Sequence, residues 1–181
     1  MVATKIGVGL YGDNGHQIHG LLETSAVGEL VATACFPCEK IPARLASVAV
    51  KNYATLDELL ADPRVELVSL CSPRRKDQAK DAIRALRAGK HVYAEKPCAM
   101  DEAELDEIIR VSHETGRAFH EMAGTAFAQP YYAMREIVRS GQLGEVIQVT
   151  AEKSYPYHPD RPQDEDLDGG GLPFARRSTE V

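Results

Sequence analysis

The segment of this sequence best suited to carry out chemistry is a charged pair followed by proline, Glu95-Lys96-Pro97. It follows a short apolar run at 91–94, so it falls where a strand would end. An ammonium group is costly to remove from water without a partner, and burial favours its neutral form, which can accept a proton. Lys96 is therefore a candidate general acid or base, and the Lys96–Pro97 bond is a candidate cis peptide. The alternative interpretation is a surface ion pair on a loop that ends a strand.

A second candidate feature is a glycine-rich segment near the start of the chain. Gly7, Gly9 and Gly12 match the dinucleotide-binding pattern G-x-G-x-x-G literally, but the first two fall inside a predicted strand. The better register places the turn over 11–15, with Gly12 and Gly15 in the second and third glycine positions. The alternative is a glycine-rich turn that binds no ligand.

This register predicts a role for each residue of the turn. Gly12 would let the backbone approach a pyrophosphate, and Gly15 would let the following helix pack on the strand. The N–H groups of Asp13 and Asn14 would point at the phosphates, where the positive end of the helix dipole favours negative charge. Together with the charged pair, the turn predicts a dinucleotide site.

The end of the second predicted strand bears on the choice between NAD and NADP. A carboxylate there usually binds the ribose 2′-hydroxyl of NAD, but this chain has Cys35-Phe-Pro-Cys38. Lys40 or Arg44 could instead meet a 2′-phosphate, so NAD and NADP both stay open. The two cysteines resemble a redox motif, although we expect Cys35 to be a small buried residue and Cys38 an ordinary loop thiol. No metal site is predicted.

Alternating strands and helices must position these segments. Periodicity and capping signals predict strands over 5–10, 29–35, 50–53, 65–71, 91–94 and 118–122, and helices over 14–24, 41–49, 55–62, 77–88 and 101–115. This alternation indicates an α/β fold with a Rossmann-type doubly wound parallel sheet, whose ligand lies at the carboxyl ends of the strands.

The remainder of the chain follows a different pattern. A helix is predicted from Pro130 to about residue 140, followed by a half-buried strand over 144–150, which together look like the beginning of a C-terminal α+β domain. The predicted domains are a dinucleotide-binding domain over 1–124, a truncated second domain over 125–155 and an irregular tail over 156–181.

Composition excludes several classes of function. The formal net charge is −6 and the chain contains no tryptophan, which argues against nucleic acid as a partner. No apolar run approaches the roughly 20 residues of a membrane helix, and the start of the chain lacks a signal-peptide pattern. A cytoplasmic protein is the expectation, with no membrane partner.

Three segments carry a resemblance to a known family. The runs 59–68 (LLADPRVELV), 88–97 (AGKHVYAEKP) and 140–147 (SGQLGEVI) resemble the glucose-fructose oxidoreductase, inositol dehydrogenase and MocA family, abbreviated Gfo/Idh/MocA. The resemblance covers roughly residues 4–155, and the Glu-Lys-Pro context is its most specific part. It implies an NAD- or NADP-dependent oxidoreductase that acts on a sugar, cyclitol or related polyol.

The resemblance also implies roles for individual residues. Lys96 would approach the substrate hydroxyl and the nicotinamide, and Glu95 would position Lys96 and contact the nicotinamide ribose. Ser72 and Pro73 would line the dinucleotide groove. His16 would lie near the phosphates, or equally face solvent from a helix. A histidine usual after the fourth-strand proline is missing, because 74–77 reads Arg-Arg-Lys-Asp.

Members of this family are considerably longer than this chain, so we expect the chain to be incomplete. They usually pair through the sheet of the second domain, which leaves a homo-oligomer open. Two further hypotheses therefore remain beside the oxidoreductase: a dinucleotide-binding module without catalysis, and a truncated remnant without a substrate domain.

Overall fold

The computed structural model describes residues 4–46 and 49–152 of the chain. The strands are β1 Ile6–Tyr11, β2 Gly28–Ala34, β3 Lys51–Tyr53, β4 Leu67–Leu70, β5 His91–Ala94 and β6 Phe119–Glu121. The α-helices are α1 His19–Leu22, α2 Ala43–Ala46, α3 Leu56–Ala61, α4 Gln78–Arg87, α5 Glu102–Thr115 and α6 Tyr131–Arg139. Short 3-10 helices cover Cys38–Lys40, Arg75–Asp77 and Gly124–Ala126.

All six strands are parallel and lie in the order β3-β2-β1-β4-β5-β6. The order reverses between β1 and β4, which is the topological switch point of a doubly wound sheet. The predicted fold class is thereby confirmed. Three strands end at one level, because Tyr11 pairs with Leu70 and Leu70 pairs with Ala94. Gly12 and Glu95, which follow the first and last of these residues, therefore emerge at the same edge of the sheet.

Two helices begin at the polar residues that the sequence predicts. At α3, the Thr55 hydroxyl accepts a hydrogen bond from the Glu58 N–H at 3.3 Å, and the Glu58 carboxylate accepts one from the Thr55 N–H at 3.1 Å. At α5, the Asp101 carboxylate accepts from the Glu104 N–H at 2.9 Å. The Glu104 carboxylate, however, accepts from the Met100 N–H, so only half of a capping box forms at α5.

Two predicted helices are much shorter in the structure. The prediction over 14–24 is wrong for 14–18, which are not helical, and α1 begins only at His19. The prediction over 41–49 becomes the short helix α2, with residues 47 and 48 outside the described part of the chain. Tertiary hydrogen bonds at the start of α1, described below, take the place of helical ones.

The core consists of two groups of buried side chains. The larger group packs α3, α4 and α5 on β2, β4 and β5, and the smaller one surrounds β1 and α1. On α5, Ile108 and Val111 are fully buried, whereas Leu105 and Ile109 are 37% and 43% exposed. Leu105, Ile108 and Ile109 stand at helical spacing, but α5 turns a neighbouring face to the sheet, so only Ile108 of the three is buried.

The described residues form two compact units, one ending at Met122 and one beginning at Ala123. In the second unit, Pro130 immediately precedes α6, and the apolar side chains of Met134, Ile137 and Val138 are exposed. The strand predicted over 144–150 is not formed, since among residues 4–46 and 49–152 no strand pairs with this segment. The predicted tail over 156–181 lies outside the described residues, and the predicted domain boundaries stay a prediction.

None of the helices that the structure describes is both long enough and apolar enough to cross a lipid bilayer.

Candidate functional site

The turn after β1 requires glycine at its first residue. Gly12 has a φ of +70°, and its N–H donates to the Ala34 carbonyl at 3.0 Å. A Cβ at this position would lie 2.8 Å from the carbonyl carbon of Cys71 and 3.2 Å from Cδ of Pro73. Gly12 therefore allows the ends of β1 and β4 to approach at the switch point. Gly12 and Gly15 stand three residues apart, which is the spacing of the second and third motif glycines, so the register predicted from the sequence stays a prediction.

Gly15 brings the turn against the end of β5. Its φ is +124°, and a Cβ here would lie 2.6 Å from Cγ of Glu95. The His16 N–H donates to Glu95 Oε2, and His16 Nδ1 lies 3.0 Å from the same oxygen. The predicted packing of a helix on the strand at Gly15 is therefore wrong, because a carboxylate occupies that space. The structure brings the glycine turn and the Glu95–Lys96 pair into contact at the carboxyl edge of the sheet, and this region is called the cleft below.

Lys96 is held to Glu95 mainly through its backbone. Its N–H donates to Glu95 Oε1 at 2.9 Å, and its ammonium nitrogen lies 3.8 Å from the same oxygen. The Lys96–Pro97 bond is cis, as predicted. The Lys96 side chain is 60% exposed, whereas that of Glu95 is 1% exposed. The predicted burial of Lys96 is therefore wrong, and Glu95 is the buried member of the pair.

The other two residues of the glycine turn bond within the protein, so the prediction that the Asn14 N–H points at the phosphates is wrong. The Asp13 carboxylate pairs with the Lys40 ammonium at 2.6 Å. The Asn14 N–H donates to the Cys71 carbonyl at 3.4 Å, and its side-chain amide donates to the Pro73 carbonyl at 3.3 Å. Because α1 begins later, at His19, the predicted aid of a helix dipole at this turn is wrong.

Ser72 and Pro73 follow β4, but only one of them faces outward. Ser72 is fully buried, and its hydroxyl donates to the Asp81 carboxylate on α4 at 2.9 Å. The resemblance had implied that Ser72 lines the dinucleotide groove, but its side chain instead supports the fold. Pro73 is exposed, and its carbonyl accepts from the Asn14 side chain.

Two titratable groups at the ends of β1 and β4 stay neutral. Burial, assisted by the nearby Glu95 carboxylate, raises the pKa of the Cys71 thiol to about 12. Burial also raises the pKa of the Tyr11 hydroxyl to about 12, assisted by the Asp81 carboxylate. Neither group is ionised near neutral pH, so neither is a nucleophile or a proton acceptor there.

One cysteine of the pair after β2, Cys35, differs from its prediction. Cys35 is exposed, not buried, and has a φ of +50°, which is unusual for a residue other than glycine. Cys38 is also exposed, and its sulfur accepts a hydrogen bond from the Asn52 side chain at 3.1 Å. Cys35 directly follows the last residue of β2, where this backbone conformation turns its side chain outward.

Two glutamines that the sequence analysis did not single out hold the cleft together. The Gln17 amide donates to the carbonyls of Tyr11, Gly12 and Ser69, at 3.4, 3.1 and 3.2 Å. The Gln78 amide, fully buried, donates to the carbonyls of Glu95 and Pro97. A signal for Gln78 existed, since it lies one and two turns before the buried residues Ala82 and Ala85 of α4. A polar residue on an otherwise apolar helix face must find buried partners.

The geometry fits a dinucleotide at this edge of the sheet. Gly12 and Gly15 allow the turn after β1 to pack closely against the ends of β4 and β5, and they lie at the strand-order reversal where such sheets bind nucleotides. The parallel sheet and this turn define a dinucleotide-binding domain of the Rossmann type.

Comparison with known families gives the narrower assignment. A family model described as an oxidoreductase family with an NAD-binding Rossmann fold, GFO_IDH_MocA, matches residues 6–123. The chain belongs to the Gfo/Idh/MocA family of oxidoreductases.

Individual relatives agree with this assignment. An uncharacterized oxidoreductase of Rhizobium meliloti is 36% identical over 119 residues, which are 65% of this chain and 35% of the relative. Inositol 2-dehydrogenase of Salmonella typhimurium is 26% identical over 147 residues, 80% of this chain and 43% of the enzyme. A putative NADPH-dependent oxidoreductase of Desulfitobacterium hafniense has a structure that superimposes with a TM-score of 0.66 at 25% identity, over 79% of this chain and 42% of that one. The chain thus spans less than half the length of the relatives it matches.

Proposed function

We propose that this chain supplies the dinucleotide site of an NAD(P)-dependent oxidoreductase that acts on a sugar, cyclitol or related polyol. The observation that carries the proposal is the contact between the glycine turn and the Glu95–Lys96 pair at the carboxyl edge of the sheet. The name of the inositol-specific relative supports the substrate class. The cytoplasmic location and the homo-oligomer stay predictions.

Different residues of the cleft would bind the dinucleotide and carry out the chemistry. The turn over 12–15 would lie against the phosphate groups, Pro73 would line the groove, and Glu95 would contact the nicotinamide ribose. The nicotinamide ring, when bound, accepts or returns a hydride. Oxidation of an alcohol also requires loss of the hydroxyl proton, and the Lys96 amine would accept it. Glu95 accepts a hydrogen bond from the backbone N–H of Lys96 at 2.9 Å, and so fixes the backbone from which the Lys96 side chain extends.

A second candidate function is a dinucleotide-binding module without catalysis. It is favoured by the exposure of Lys96, since an amine in contact with water lacks the desolvated environment typical of a proton acceptor. Turnover separates the two functions, because both bind the dinucleotide and only the first oxidises a polyol.

Titration of the chain with NADH and NADPH, followed by fluorescence and calorimetry, tests the dinucleotide site. We expect saturable binding of at least one dinucleotide, with a dissociation constant on the order of micromolar to millimolar, as for enzyme substrates generally. Absence of binding for both would refute both candidate functions. Binding without oxidation of any member of a panel of sugars and cyclitols would leave the non-catalytic module.

We further propose that Lys40 favours NADP over NAD. Lys40 ends the 3-10 helix that follows β2, where an acidic residue would otherwise select NAD, and its ammonium pairs with Asp13 of the glycine turn. The side chains of Lys40 and Asp13 are 51% and 27% exposed, so the pair is weak, at about 0–1 kcal/mol, and a 2′-phosphate could replace the carboxylate.

We therefore expect NADPH to bind about tenfold more tightly than NADH, and Lys40→Ala to remove this preference by weakening NADPH alone. The matched control is Lys5→Ala, since Lys5 lies just before β1 at the opposite edge of the sheet. If Arg44→Ala removes the preference and Lys40→Ala does not, the 2′-phosphate contact belongs to Arg44. Equal affinities for the two dinucleotides in the unmodified chain would contradict the proposal outright.

A further inference from the structure

The side chain of Gln78, at the first position of α4, uses all of its strong hydrogen-bonding groups inside the protein. It is fully buried. Its amide nitrogen donates to the Glu95 carbonyl and, at 3.0 Å, to the Pro97 carbonyl. Its oxygen accepts from the Ser72 N–H at 3.3 Å and from the guanidinium of Arg75. A buried amide so completely paired fixes the relative positions of its partners.

These partners belong to the segments that form the cleft. The carbonyls of Glu95 and Pro97 lie on either side of Lys96, so the Gln78 amide holds the backbone both before and after the lysine. Ser72 lies two residues after the end of the neighbouring strand, β4. Arg75, itself buried, donates through its other terminal nitrogen to the Asn14 carbonyl in the glycine turn. One side chain therefore connects the ends of β4 and β5 directly and the turn after β1 through a single residue.

We propose that Gln78 is a positioning residue for the nicotinamide half of the cleft. It acts through Glu95 and Lys96 and does not itself touch the cofactor, and the inference rests on the proposed function above. If the amide donors are lost, two buried carbonyls beside Lys96 lose their partners, and the segment must shift to find others. A displacement of this kind at a positioned group weakens the interactions that depend on its geometry. The adenosine half, which would lie toward the end of β2, does not depend on these carbonyls.

The test compares two ligands on three variants of the full chain. Gln78→Glu keeps the shape and replaces the donor nitrogen by an oxygen, and Gln78→Met keeps the length without charge or hydrogen bonds. Leu86→Ala is the matched control, because Leu86 is fully buried near the opposite end of α4. The ligands are the dinucleotide that binds the unmodified chain and the matching ADP-ribose, with or without its 2′-phosphate, which lacks nicotinamide.

We expect both Gln78 variants to bind the dinucleotide at least about tenfold more weakly and to bind ADP-ribose within about threefold of the unmodified chain. Leu86→Ala should lower the melting temperature and leave both affinities within about threefold. The positioning role is overturned if the Gln78 variants bind the dinucleotide normally, if both ligands weaken equally, or if Leu86→Ala has the same effect. It is also overturned if neither Gln78 variant folds, since Gln78 would then serve the fold as a whole. Failure of the unmodified chain to bind any dinucleotide would instead reject the proposed function.

Discussion

Replacing Gly12 by alanine is expected to weaken dinucleotide binding by at least about 100-fold, equivalent to about 3 kcal/mol. At a φ of +70° the added Cβ costs about 1–2 kcal/mol by itself. The methyl group would also lie 2.8 Å from the Cys71 carbonyl carbon and closer still to its oxygen. Since both are backbone atoms, no side-chain rotation relieves the collision, and the ends of β1 and β4 must separate. That separation displaces the turn and the Ser72–Pro73 segment together.

The control for this prediction is Gly89→Ala. Gly89 has a φ of +79°, nearly that of Gly12, but a Cβ there would have no atom within 4 Å, and the residue precedes β5 at the opposite edge of the sheet. Both variants carry the same backbone strain, so thermal unfolding measures its cost and calorimetric titration isolates the effect of the collision. Normal affinity in Gly12→Ala, or an equal loss in Gly89→Ala, would show that close approach at Gly12 is not needed for the cofactor.

The parallel sheet could be predicted because its signals are local. Each strand is a short apolar run, and polar residues mark the starts of α3 and α5, with Thr55 and Asp101 as their N-caps. Gly116, with a φ of +64°, ends α5 where the sequence places the stop. Alternation of such elements leaves few topologies, and the doubly wound order is among them. The convergence of Gly15 and Glu95 then follows, because parallel strands share one carboxyl edge.

The start of α1 could not be predicted, because contacts distant in sequence determine it. Residues 14–18 have helical character by sequence, yet the Gln17 side chain bonds the Ser69 carbonyl and the His16 N–H bonds Glu95. The bond from His16 satisfies a backbone N–H that a helix would otherwise pair within itself. A single-sequence pattern contains no information about partners 52 and 79 positions away.

The environments of individual side chains were the other limit. Lys96 and Cys35 both follow a buried strand, and sequence position alone suggested that both would be buried. In the structure Glu95 is the buried member of its pair, while the positive φ at Cys35 turns that side chain outward. Gln78 was not predicted for a related reason: its partners at positions 72, 95 and 97 lie on other elements, and sequence spacing does not indicate them.

We expect Lys96 to contribute far more to turnover than to cofactor binding. Lys96→Met is expected to lower the rate of polyol oxidation by about 100- to 10,000-fold, the usual contribution of a general base. Dinucleotide affinity should change by less than about threefold, because the Lys96 ammonium is largely exposed and its pairing with Glu95 is correspondingly weak. The N–H that Glu95 accepts belongs to the backbone and survives the substitution. Steady-state rates with a panel of sugars and cyclitols, beside calorimetric titration of the cofactor, measure both quantities.

Two further substitutions decide what Lys96 contributes. Lys80→Met makes the same charge change at an exposed lysine on α4 and should leave rate and affinity unchanged. Lys96→Arg keeps the positive charge but cannot lose a proton in a protein, so it should be as inactive as Lys96→Met if Lys96 accepts the hydroxyl proton. A substantial rate in Lys96→Arg would mean that charge alone matters, and an undiminished rate in Lys96→Met would place the proton acceptor elsewhere. A lysine amine in contact with water is normally protonated. A proton-accepting role therefore requires the bound substrate to displace water from the Lys96 amine, whereas a purely electrostatic role does not. Lys96→Arg separates these two roles more sharply than Lys96→Met does.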